Sequence, residues 1–287
     1  MELRNTAEYI LSVSKFRNQI PEEIRPSWIK MSTITMLSRF DCDLDVERIE
    51  KAFKMMKKIR LIPNDRKDLR FRYIVGESNV RFRCEAGGIE WRRRYTSFYN
   101  QVSLSYTDSY STKSVKVFPN GTIHVTGCTN LFECRDVMEQ VKTLFTIILN
   151  WSVPLEFSYP QILMINSNFS LNCELDQYEL IERLRRNKMF KITFTPEKYS
   201  AVKVKFKPQP DMKLVTVMIF RTGNIVINGA VTLKEVAYAY KVINSYLVGD
   251  VRQDKNDVIK NHDMFMGAKF EKWVQVLKKT KVFDTYE

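Results

Sequence analysis

A chain of 287 residues, 44% hydrophobic and 28% charged, has an ordinary globular make-up and the length of one large domain or two modest ones. It holds no run of 18 uncharged apolar residues, so a membrane-spanning helix is not expected. A formal net charge of +13 points to a polyanionic partner or to a solubility device.

The opening stretch, MELRNTAEYILSVSKF, lacks the basic start and apolar middle of a secretory signal. Cys42, Cys84, Cys128, Cys134 and Cys173 are odd in number and scattered, which suits a reducing compartment, so an intracellular site is expected.

In chain order, residues 1–27 read as an N-terminal extension expected to be helical. MSTITM (31–36) reads as a strand, and CDLDVERIEKAF (42–53) as a helix with Asp45 as its N-cap. A basic segment follows: residues 51–94 carry fourteen Lys or Arg against five Asp or Glu. Its surface either contacts phosphates or is a solvated helix and loop. Within it, RFRYIV and VRFRCEA alternate basic with apolar residues, as an added hairpin would. YNQVSLSY (99–106) alternates as a half-buried strand does, FPNGTIHVTG (118–127) reads as a glycine hairpin, and LFECRDVMEQVKTLF (131–145) as a helix.

The same order then returns. ILMINS (162–167) reads as a strand, CELDQYELIERL (173–184) as a helix capped by Asp176, YSAVKVKF (199–206) as an alternating strand, FRTGNIVING (220–229) as a hairpin and LKEVAYAYKVINSYL (233–247) as a helix. The two long helices align without gaps, with Leu131/Leu233, Cys134/Val236, Met138/Tyr240, Val141/Ile243 and Phe145/Leu247 writing one apolar face twice. The predicted fold is therefore α+β, with two β-α-β-β-β-β-α repeats, antiparallel strands and helices on one face. The expected divisions are a first repeat at 28–150 with an insertion at about 58–95, a second at 151–249, and a C-terminal extension at 250–287. In that extension FEKWVQVLKKTKVF (270–283) has an amphipathic helical pattern.

Strand alternation separates the two sheet faces. With Ile34, Ile123, Val125, Ile165, Ile225 and Ile227 under the helices, the opposite face receives Thr33, Thr35, Thr122, His124, Thr126, Met164, Asn166, Asn224, Val226 and Asn228. Phe118 and Phe220 join it at the hairpins. Small polar groups with bulky aromatics and few charges suit a binding surface better than a solvated one.

The paired motifs Phe118-x-x-Gly121 with Thr126-Gly127 and Phe220-x-x-Gly223 with Asn228-Gly229, together with FTPEKYSAVKVKF (194–206), resemble the TATA-box-binding protein family. The resemblance spans about residues 28–249 and looks most like the divergent versions of large DNA viruses. It implies a saddle-shaped sheet whose concave face opens the DNA minor groove and inserts aromatic wedges at Phe118 with Tyr99 and at Phe220 with Tyr199. A phosphate-contacting arginine of the family falls on Lys205 and on Ser105, while Lys116 and His124 take positions that the family gives to aliphatic residues. The implied partners are double-stranded promoter DNA, A/T-rich sites included, and a general transcription factor B-like protein or RNA polymerase subunits. The implied location is a host nucleus or a cytoplasmic viral factory, and a monomer is expected.

Catalysis is poorly supplied. Two histidines, no P-loop, no Gly-rich dinucleotide turn and no metal-ligand spacing around Cys128 and Cys134 argue against an enzyme, a metal site or a cofactor. A protein-docking scaffold of the same fold and a nucleic-acid-coating protein remain as alternatives to a promoter-binding factor.

Overall fold

The computed structural model describes residues 2–55, 71–76, 79–84, 89–94, 100–107, 111–149, 155–171, 173–247 and 252–255. Residue contacts divide the chain into two units, 33–163 and 1–32 with 164–287. The first carries the first repeat; the second joins the N-terminal segment to the second repeat.

The first unit contains β1 (Lys30–Arg39, which begins at the division), α2 (Val46–Met55), β2 (Phe71–Gly76), β3 (Asn79–Cys84), β4 (Ile89–Arg94), β5 (Val102–Thr107), β6 (Thr112–Val117), β7 (Thr122–Cys128) and α3 (Leu131–Leu149). Its strands lie in the order β1-β7-β6-β5-β4-β3-β2, each adjacent pair antiparallel. The basic segment does form an added hairpin, β2 with β3, which extends the sheet beyond β4.

The second unit contains α1 (Glu2–Asn18), a single 3-10 turn (Glu22–Ile24), β8 (Gln161–Ser170, most of it in this unit), β9 (Cys173–Leu175), α4 (Gln177–Arg185), β10 (Lys191–Thr195), β11 (Tyr199–Phe206), β12 (Val215–Ile219), β13 (Asn224–Ala230), α5 (Leu233–Leu247) and β14 (Arg252–Lys255). Its main strands run β10-β11-β12-β13-β8, again antiparallel. No helix among the described residues is long and apolar enough to cross a membrane.

Each repeat closes its core as the alternation requires. Ile34, Val115, Ile123, Val125, Val141 and Phe145 are buried in one unit, and Val204, Val217, Ile225, Ile227, Val236 and Ile243 in the other. Full burial of such a side chain contributes about 1.5–3 kcal/mol, so the inward stripe fixes which sheet face the helices cover. Both expected caps are present: Asp45 Oδ1 accepts from Arg48 N at 2.8 Å, and Asp176 Oδ1 accepts from Tyr178 N at 2.9 Å and Glu179 N at 3.0 Å.

The long helices carry a second matching device, a capping box at each N-terminus. Glu133 takes hydrogen bonds from Thr129 N at 2.9 Å and Asn130 Nδ2 at 2.9 Å, while Asn130 Oδ1 accepts from Glu133 N. Glu235 accepts from Val231 N at 2.6 Å and Thr232 N at 3.1 Å, and Thr232 Oγ1 accepts from Glu235 N.

The terminal segments add two contacts with no counterpart in the repeat. α1 packs on α5, burying Tyr9, Ile10 and Val13, and Phe16 meets Tyr240 edge-on at 5.8 Å between ring centres. In the C-terminal extension, expected to be helical, residues 252–255 form a strand on β9 instead. Four residues that pair with an existing backbone edge satisfy their N–H and C=O groups there without a helix. The amphipathic stretch 270–283 lies outside the described residues.

Candidate nucleic-acid interface

Both motif hairpins have the same local build. Phe118 N donates to Thr122 O at 2.9 Å and Gly121 N to Phe118 O at 3.1 Å; Phe220 N donates to Asn224 O at 3.0 Å and Gly223 N to Phe220 O at 3.0 Å. Gly121 has φ +78° and Gly223 φ +76°, and each tip lies under the preceding strand-to-helix connection. There Phe40 N donates to Gly121 O at 3.0 Å and Leu171 N to Gly223 O at 3.0 Å. A Cβ at Gly121 would strike the carbonyl oxygen of Cys42, and one at Gly223 that of Cys173. The second glycine of each motif, Gly127 or Gly229, sits where the strand register shifts, so each hairpin strand leaves through a bulge.

In the first unit, cross-strand register brings the expected residues onto one open face. Thr35 lies opposite Thr126 and Thr126 opposite Ser114, which in turn faces Ser105. The adjacent row runs Leu37, His124, Lys116, Ser103, and Arg39 lies opposite Thr122. Thr33, Lys116, Thr122, His124 and Thr126 are half-buried, whereas Thr35 is only 7% exposed because small side chains sit low between larger neighbours. Phe118 is half-buried at the hairpin end of this face. Its expected companion, Tyr99, lies outside the described residues.

In the second unit, Asn224 lies opposite Ser170, Val226 opposite Met218 and Asn168, and Asn228 opposite Thr216. Thr216 continues to Lys205 and Lys191, and Met218 to Lys203 and Thr193. Met164 and Asn166 are half-buried on β8, and the Asn166 Oδ1 atom is buried with no hydrogen-bond partner among the described residues. Asn224 and Lys205 are exposed; Val226 and Asn228 are half-buried.

The structure brings Tyr199 and Phe220 together at the hairpin end of this face, ring centres 5.8 Å apart at 67°. The Tyr199 hydroxyl reaches Met218 Sδ at 3.5 Å, and Lys203 Nζ lies 4.4 Å from the Tyr199 ring centre. Lys203, Met218, Thr216, Ser114 and Ser103 were not among the expected site residues. The alternation rule, extended to β5, β6, β11 and β12, would have found them, since each shares its face with an expected residue.

His124 gives the face of the first unit a titratable imidazole. His124 titrates below its ordinary value near 6.5, first because burial disfavours its charged form and second because Lys116 lies opposite. The unfolded chain therefore takes up this proton first as pH falls. Stability from the neutral imidazole is present above about pH 6.5 and declines below it. His124→Gln is expected to flatten the fall in melting temperature between about pH 6.5 and 5, and an unchanged fall would exclude His124 as its source.

Among the described residues, two like-ordered α+β repeats, each with one sheet face under helices and an aromatic at the hairpin end of the other face, define the class as a duplicated α+β sheet protein. No protein-family model matches the chain. It is 28% identical over 181 residues to a protein of Acanthamoeba polyphaga mimivirus named TATA-box-binding protein-like, the match covering 53% of this chain and 48% of that protein. The chain thus spans about half the length of that curated relative. The expected resemblance to TATA-box-binding-protein-like sequences is borne out by this match. Among solved structures, Methanococcus jannaschii TBP superposes with a TM-score of 0.46 at 13% identity, covering 77% of this chain and 98% of that one. A rolling circle replication initiator from Geobacillus stearothermophilus gives 0.29 at 9% identity, covering 88% and 96%.

Proposed function

We propose that the chain is a TATA-box-binding-protein-like transcription initiation factor that binds promoter duplex through the minor groove and bends it. The open faces carry the contact, and aromatic side chains at the hairpin ends act as wedges. The observation that carries this reading is the Tyr199–Phe220 pair, a half-buried phenylalanine braced by a tyrosine beside a face of Asn224, Val226, Asn228 and Thr216. Unstacking a base step costs about a few kcal/mol, and a broad sheet face offsets that through contact area. Short Asn and Thr side chains suit a groove that offers mainly acceptors at A·T pairs. The role is non-enzymatic, and a transcription factor B-like protein or polymerase subunits complete the assembly, in a host nucleus or a cytoplasmic viral factory.

The test uses a duplex labelled at both ends and measures its bend by fluorescence transfer. Tyr199→Ala with Phe220→Ala is expected to lose most of the bend while weakening affinity about tenfold or more. An unchanged bend would overturn the wedge assignment.

A second reading, a docking scaffold for transcription proteins, is favoured by Tyr178 at 70% and Met189 at 71% exposure on the second unit. Failure of the intact chain to bind any duplex at low salt would select the scaffold.

A further inference from the structure

The sheet of the first unit does not end where the repeat ends. In the second unit the corresponding outer strand, β10, is the last among the described residues; in the first, β4 is followed by β3 and β2. Register makes these strands an extension of the open face. Arg92 lies opposite Ser105 and Arg94 opposite Ser103, the two serines that continue the rows of Thr126 and His124. Arg81 lies opposite Arg92, and Arg72 opposite Arg83. Five of the six arginines in the three strands thus occupy open-face register positions, with Glu90 as the one acidic residue at that parity. The other parity carries Phe71, Tyr73, Val80, Phe82, Ile89 and Trp91, and Trp91 lies opposite the buried Tyr106. This amphipathic division assigns the apolar parity to the helix side and the arginines to the open side.

Arg81 and Arg92 hold facing ladder positions, as do Arg72 and Arg83, and like charges at facing positions are in general destabilising. Such an arrangement suits a surface that holds a polyanion rather than one that supports the fold. We propose that β2, β3 and β4 form an arginine ladder that grips the phosphate backbone of duplex DNA beside the open face of the first repeat. This rests on the duplex-binding reading above and adds a sequence-independent contact to it. Strands about 4.8 Å apart give the two added strands a reach of about 10 Å, or about 3 base pairs at ~3.4 Å each.

The experiment compares the full chain with Arg81→Gln/Arg92→Gln across a salt titration on duplexes of increasing length. The double variant is expected to reduce the slope of log K against log salt by about 1.8, from two lost phosphate contacts at about 0.9 each. It should also lose the gain in affinity that a few flanking base pairs give the unaltered chain, while keeping its bend. Arg81→Lys/Arg92→Lys should restore the slope, since the charge is kept. In the absence of DNA the glutamine variant should melt no lower than the parent, since it removes facing like charges. An unchanged slope and length dependence, or a collapse of the melting temperature, would overturn the ladder and leave the wedge reading standing. Loss of the bend in the Tyr199/Phe220 variant with no effect of the arginines separates the two claims in the same assay.

Discussion

Gly223→Ala is expected to destabilise the protein by about 3–5 kcal/mol and to lower its melting temperature on the order of 10 °C. Two causes combine. At φ +76° an L side chain costs about 1–2 kcal/mol, and the added Cβ would meet the backbone oxygen of Cys173, which belongs to β9 and cannot swing aside as a flexible side chain would. Relieving that clash moves the hairpin tip away from its connection and strains two hydrogen bonds, Leu171 N to Gly223 O and Leu175 N to Arg221 O, each contributing about 1 kcal/mol. Gly121→Ala should behave alike in the first unit, whereas the exposed neighbour substitution Thr222→Ala should stay within about 0.5 kcal/mol. Thermal unfolding followed by circular dichroism checks the ordering; equal melting temperatures for the alanine variants at 222 and 223 would refute the close-approach account.

Glu133→Gln is expected to cost about 3–5 kcal/mol, the range for breaking a buried ion pair by removing one partner. Lys113 Nζ lies 3.4 Å from Glu133 Oε2, with side-chain exposures of 0% and 3%. Glutamine keeps the shape but has one accepting oxygen where Glu133 uses both, so the variant loses part of the capping box along with the charge, and a matched variant in the second repeat is needed to separate the two. The second repeat supplies the control: position 215, matching Lys113, is a buried valine, and Glu235 is held by the N–H groups of Lys213, Val231 and Thr232. Glu235→Gln leaves no buried lysine behind and is expected to cost clearly less. Denaturant titration of the two variants decides the matter, and a Glu235→Gln loss as large as that of Glu133→Gln would remove the lysine from the account.

Particular residues show how far sequence reading reaches. The inward stripe of Ile123, Val125, Ile225 and Ile227 was legible because strand period and burial are coupled residue by residue. Asp45 and Asp176 were legible because capping acts within one helical turn. The inserted hairpin was visible for the same local reason. Lys113 was not: a lysine between alternating residues looks solvent-facing until the carboxylate that neutralises it, twenty positions further on, is placed beside it. The candidate interface divides in the same way. Alternation put Asn224, Val226 and Asn228 on the open face, and the family resemblance paired Tyr199 with Phe220, but only strand pairing set Met218 and Lys203 beside them.

By itself, the sequence determined the duplication, the α+β order of each repeat, the helix caps and the side of each strand that faces the core. These follow from interactions within a few residues and from a hydrophobic pattern written twice. The tertiary structure decided what the hairpin glycines lie against, which strands are neighbours, that α1 covers α5, and that residues 252–255 join β9. All of these join positions distant along the chain. Their free energy comes from shape and charge meeting across that distance, which no local pattern encodes.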